Sequence, residues 1–169
     1  MTVVWDYNKA LEVFNNNARK ALTMIGIQTK AKAQVTLNGQ GKRDTGLLMN
    51  SIGYKVKVGE KEESDGNSLD GSEQSDNSVI VGTNVDYANY IEGGSGPHRT
   101  DYKSAEFLEN INKWLDRHGI MDKSARFLII RSIRRHGTSA HPFLRPALDY
   151  ISGKARNIIQ SVFRSGENE

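Results

Sequence analysis

The stretch GYKVKVGEKEESDGNSLDGSEQSDNSVIVGT, residues 53–83, decides the fold class of this chain. Tyr54, Val56 and Val58 alternate with Lys55 and Lys57, and a period of two marks a half-buried strand. Val79-Ile80-Val81-Gly82-Thr83 reads as its antiparallel partner, since two short β-rich runs flanking a polar segment are the sequence form of a hairpin. The connection, 59–78, holds seven acidic residues against Lys61 and a single large apolar residue, Leu69. So little apolar surface cannot offset the entropy of ordering, and a long mobile acidic loop is expected there.

Upstream, apolar residues recur at helical spacing from Asp6 to about Val35, namely Leu11, Phe14, Ala18, Leu22, Ile25 and Ala33. Asp6 suits the N-cap, Gly26 is an interior weakness of about 1 kcal/mol, and Asn38-Gly39 with Gly41 supplies the stop. Such a helix reaches about 45 Å, longer than a small domain needs, and its surplus apolar face is a candidate for subunit contact. Asp44 or Thr45 is expected to cap a short helical turn whose Leu47, Leu48 and Ile52 pack beneath the first helix.

Downstream, Asp86–Glu92 begins as a turn of helix or irregular strand and must end at Gly93-Gly94-Ser95-Gly96. Phe107, Leu108, Ile111, Trp114 and Leu115 form an amphipathic stripe over 104–118. Ser124 is read as the cap of a further helix that buries Phe127, Leu128, Ile129 or Ile130, and Ile133, with Arg126, Arg131, Arg134 and Arg135 on its other face. No helix can run through both Pro142 and Pro146, but Pro146 suits the first turn of a last helix through Leu148, Ile151, Ala155, Ile158, Ile159, Val162 and Phe163. The expected architecture is α+β: a long N-terminal helix, a small antiparallel sheet built on the hairpin, a helical insertion at 99–140 and a C-terminal helix. One domain spans 1–164, and 165–169 is a disordered tail.

The chain has 169 residues, of which 37% are hydrophobic and 25% charged, which fits a single modest core. No apolar run approaches the roughly 20 residues that span a bilayer, and MTVVWDYNKA lacks the regions of a signal peptide; synthesis in the cytoplasm, without a membrane partner, is expected. The absence of cysteine excludes disulfides, thiolate metal sites and thiol nucleophiles. Residues 60–76 carry a net charge of −6 in a chain of +3, so the remainder carries +9 and suits an acidic partner.

Candidate chemistry is thin. His136 and His141 stand five apart, with His98 and His118 elsewhere, and no HExxH-type pair exists. Asp65-Gly66-Asn67 lacks the ligand alternation and closing Glu of a calcium loop. The glycines of 93–96 lack the Lys-Ser/Thr that makes a phosphate loop. Asp44-Thr45-Gly46 is the aspartic-protease triplet, but a polar GQGKR loop precedes it and a helically spaced run follows. No catalytic residue, metal or cofactor is expected.

Three segments in order, DTGLLMNSI (44–52), VGTNVDYANYIEGGSG (81–96) and HPFLRPALD (141–149), resemble the neck or tail-completion proteins of lambdoid and related tailed bacteriophages. Thr45, Gly46, Leu48, Ser51 and Ile52 match the first element of that family. Tyr87, Ala88, Glu92 and Gly94 match the second, and Pro142, Phe143, Leu144, Pro146, Ala147 and Leu148 the third. The helical pair between His98 and His141 resembles an insertion carried by part of the family. The resemblance implies a non-enzymatic virion protein that takes part in head–tail joining. It also implies a hexameric ring of its own copies, neighbours among neck, connector and tail-terminator proteins, and non-specific contact with DNA passing through the channel.

Pro142 and Pro146 are expected to hold the residues between them extended, with Phe143 and Leu144 as docking anchors and Arg145 as their polar neighbour. The alternative is that Phe143 fills the domain's own core. A competing function is a nucleic-acid-binding regulator that uses the basic helix 124–136.

Overall fold

A computed structural model describes residues 6–41, 45–67, 69, 74–97 and 105–166. Its elements run α1 (Tyr7–Gly39), α2 (Leu47–Ser51), β1 (Gly53–Val58), β2 (Lys61–Ser64), β3 (Ser78–Gly82), α3 (Ala88–Gly93), α4 (Ala105–Arg117), α5 (Lys123–His136) and α6 (Leu144–Gly166). The fold is α+β, with α1 as its spine. Asp6 caps α1 as its sequence suggests, its carboxylate accepting from Lys9 N at 3.1 Å. Over 33 residues, α1 extends about 50 Å.

Two surfaces lean on this spine. α6 runs along one side, where Ile25 packs with Ile151 and Ile158. The sheet covers another through Tyr54, Val56 and Val58, which are buried against Ala18 and Leu22. Each such apolar burial contributes roughly 1.5–3 kcal/mol, against roughly 0–1 for an exposed ion pair, so the alternation in β1 decides which way the sheet faces. Thr29 is buried in the spine and bonds back to Ile25 O at 2.7 Å, which leaves its hydroxyl satisfied.

The sheet departs from the expected hairpin. β3 does pair antiparallel with β1, Tyr54 opposite Val81 and Val56 opposite Val79. The other edge of β1 is taken by β2, which the expected loop concealed, so the order is β2-β1-β3. Residues 59–78 are therefore not one long connection. Lys61–Ser64 is polar and exposed, and it gives no apolar signal of a strand.

Charge and side-chain hydrogen bonding hold that segment. Lys55 pairs with Glu62 at 2.9 Å and Lys57 with Asp76 at 3.3 Å. Asp65, whose side chain is 10% exposed, takes the Lys30 ammonium at 2.5 Å and accepts from Tyr54 N and Asn67 N. The buried Gln74 amide donates to Lys55 O and Ser78 O. Leu69 lies over Gly82 of β3. The acidic residues thus answer the lysines of α1 and β1.

Further corrections concern helix faces and ends. Leu48 and Ile52 are buried beneath α1, but Leu47 is exposed. Asp122, rather than Ser124, caps α5, accepting from Ser124 N at 2.8 Å. Phe127 and Leu128, expected to be buried, are 64% and 58% exposed, and α5 turns Ile129, Ile130 and Ile133 inward instead. In the last helix Leu148 and Ile159 face solvent. α6 also continues through Ser165 and Gly166, which were assigned to the tail, while 167–169 lie outside the described residues.

Gly26 is more than a tolerated weakness. A Cβ built there would lie 2.9 Å from both Cγ and Cδ2 of the Tyr54 ring. Gly26→Ala should therefore destabilise by about 1–3 kcal/mol, although alanine favours a helix interior by about 1 kcal/mol. Urea unfolding is the measurement, and a raised midpoint would show that the ring moves aside freely.

Burial alone would raise the pKa of Asp65, but the bonds from Lys30, Asn67 N and Tyr54 N together hold it below the usual carboxylate range. Folding lowers this pKa, so the stability it brings is complete above the unfolded value and is lost as pH falls through the folded one. Between about pH 6 and about pH 3, the wild-type urea midpoint should fall more steeply than that of Asp65→Asn. Equal slopes would mean that the Lys30–Asp65 pair adds nothing.

Candidate functional site

The structure brings the three motif segments to one place. Leu48, Ile52, Ala88, Phe143 and Ala147 are buried in a single cluster with Ala33 and Leu37 of α1, and Leu144 packs against its edge. Ser51 Oγ lies 2.6 Å from Thr83 Oγ1, joining the end of α2 to the exit from β3. Thr45 Oγ1 accepts from Leu47 N at 3.3 Å. Gly46 begins α2 at a φ of 80°, a left-handed conformation that glycine adopts without a Cβ penalty. Asp44 lies outside the described residues, so the protease triplet cannot be placed whole.

Glu92 joins the second segment to the third. From α3, its Oε2 accepts from Phe143 N at 2.7 Å and Leu144 N at 2.9 Å, and its Oε1 from Arg145 N at 2.9 Å. The first N–H groups of a helix have no carbonyl partner within it, and a carboxylate there also meets the positive end of the helix dipole. Two further bonds tighten the junction: His141 N donates to Ile91 O at 2.7 Å, and Gln40 Nε2 to Pro142 O at 2.9 Å. Gly94 follows at a φ of 70°, where a Cβ would meet Thr138 O at 2.6 Å and Ala140 N at 2.8 Å. Only glycine fits that approach. Ser95 and Thr138 then exchange backbone hydrogen bonds, both 3.0 Å, and close the base of the α4–α5 arm.

This arrangement overturns the expected docking role of Phe143. Its side chain is 0% exposed and fills the chain's own core. The segment is not extended between its prolines either, because α6 begins at Leu144 and Pro146 lies in its first turn. Arg145 and Tyr87 are exposed, Pro142 and Pro146 half-buried. Gln40, Thr83 and Thr138 belong to the junction and carried no sequence signal, since each acts through hydrogen bonds across more than thirty residues.

Exposed apolar and charged surface lies elsewhere. Met24, Ile27, Ala31 and Val35 form a solvent-facing stripe on α1. On α5, Phe127 lines a cavity of about 360 Å³ with Ile130, Arg131, Arg134 and Arg135. A groove of about 370 Å³ between α1 and the β1–β2 turn is lined by Leu11, Glu12, Val58 and Glu60. Among the described residues no group of three or more His, Asp or Glu side chains could hold a metal ion, and no helix is long and apolar enough to cross a membrane.

Glu92→Ala would leave three N–H groups at the start of α6 without their acceptor, and should cost about 2–4 kcal/mol. Glu92→Gln keeps a carbonyl acceptor and should cost less. Urea midpoints of both variants measure this, and a wild-type midpoint for Glu92→Ala would show that the junction does not depend on the carboxylate. No protein-family model, no curated protein and no solved structure matches this chain.

Proposed function

We propose that this chain is a structural virion protein of a tailed bacteriophage, a neck or tail-completion subunit that joins head to tail as part of a ring and catalyses no reaction. The observation that carries the reading is the convergence of the three motif segments. Residues far apart in sequence that resemble that family in order and spacing also meet in one interlocked junction, where Glu92 grips the start of α6 and Leu48, Ile52, Ala88 and Phe143 share a core. Their chemistry is architectural: acceptors for backbone N–H groups, a left-handed glycine and apolar fillers. Such a junction fixes the angle between α6, α1 and the arm, as a subunit meeting identical neighbours at a set angle requires. The remaining partners on this reading are neck, connector and terminator proteins, with the DNA in the channel touched only non-specifically.

A second reading, a nucleic-acid-binding protein, draws on α5, where Arg131 and Arg135 are exposed beside Phe127. A phosphate-binding face would lose affinity for duplex DNA steeply with salt.

The test is a phage genome in which this reading frame is interrupted. Infected cells should accumulate DNA-filled heads and separate tails, seen by electron microscopy, and the intact gene supplied in trans should restore joined particles. Joined, infectious particles without the protein would overturn the proposal.

A further inference from the structure

We propose that the exposed basic face of α5 in one copy docks into the groove between α1 and the β1–β2 turn of a second copy. This deepens the ring reading above and rests on it. α5 carries five Lys or Arg residues and no acidic one over Lys123–His136. Arg131 and Arg135 lie one helical turn apart on its solvent side, and neither is in a hydrogen bond or ion pair among the described residues. Phe127, on the same side, is 64% exposed. A desolvated aromatic flanked by arginines is the usual composition of an interface hot spot.

The groove has the complementary character. Leu11, 42% exposed, offers its apolar surface, and Glu12 and Glu60 offer carboxylates in no hydrogen bond or ion pair among the described residues. Phe127 would lie against Leu11, with Arg131 and Arg135 facing Glu12 and Glu60. Nothing joins Arg131 or Arg135 to α1 or to the hairpin within one chain, so each copy presents both halves of the contact unused. Two different surfaces on one chain that fit each other make a head-to-tail interface, the kind that closes into rings. A DNA duplex would satisfy only the arginines and leave the matching acidic groove without a role.

The experiment uses the full-length protein and two charge-reversed variants, R131E/R135E and E12K/E60K, followed by sedimentation velocity over a range of concentrations at low salt. Wild type should self-associate. Each variant alone should dissociate at about tenfold lower concentration of salt or require about tenfold more protein to assemble, because like charges then face each other. An equimolar mixture of the two should regain the wild-type assembly, since every reversed face meets a reversed partner; circular dichroism melts keep misfolding apart from lost contact. Wild type that stays monomeric would overturn the ring reading itself. Assembly that ignores the reversals, or a mixture that fails to recover, would overturn only this interface. Salt-sensitive DNA binding lost in R131E/R135E, with assembly unchanged, would assign the face to nucleic acid instead.

Discussion

The first turn of α6 carries N–H groups that no carbonyl of its own helix can reach, and the two oxygens of Glu92 take three of them. Through that carboxylate α3 fixes where α6 begins. Once its start is fixed, Ala147, Ile151 and Ile158 meet α1 in register and are buried. The bond from Gln40 to Pro142 O then ties the far end of α1 to the same corner. Apolar burial supplies most of the stabilisation, but it is non-directional. The carboxylate supplies direction.

A similar division holds on the sheet. Tyr54, Val56 and Val58 choose the face of β1 that meets α1, whereas Asp65, Gln74 and the lysines decide how the neighbouring chain lies against it. Any one exposed pair is worth little. Asp65 differs because its carboxylate is mostly buried and gathers three donors from α1, β1 and its own turn.

Patterns that depend on local spacing were legible in the sequence. The cap at Asp6, the alternation in β1, the partnership of β1 with β3 and the helical turn at Leu47–Ser51 all rest on residues close in the chain. β2 was not legible, because Lys61–Ser64 forms a strand through ladder bonds and ion pairs supplied by residues already placed elsewhere. Amphipathic spacing found α5 but could not say which apolar side chains face inward. Three isoleucines pack and Phe127 and Leu128 do not, a choice made by the position of α4. For the junction, the motif residues were recognisable, yet the role of Glu92 was hidden: its partners lie about fifty positions later and are backbone groups, which leave no trace in side-chain identity.

The Ser95–Thr138 bridge separates the arm from the body in a way that matters for change over time. The chain leaves and re-enters through one pair of residues, so the core sees the same two ends whatever lies between them. Closing a longer excursion costs little, about 0.6 kcal/mol for each doubling of its length. Insertions, deletions and new surface chemistry in the arm can therefore accumulate without loosening α1, α6 or the sheet. The part of the molecule most exposed to partners is also the part that the fold leaves most free to vary.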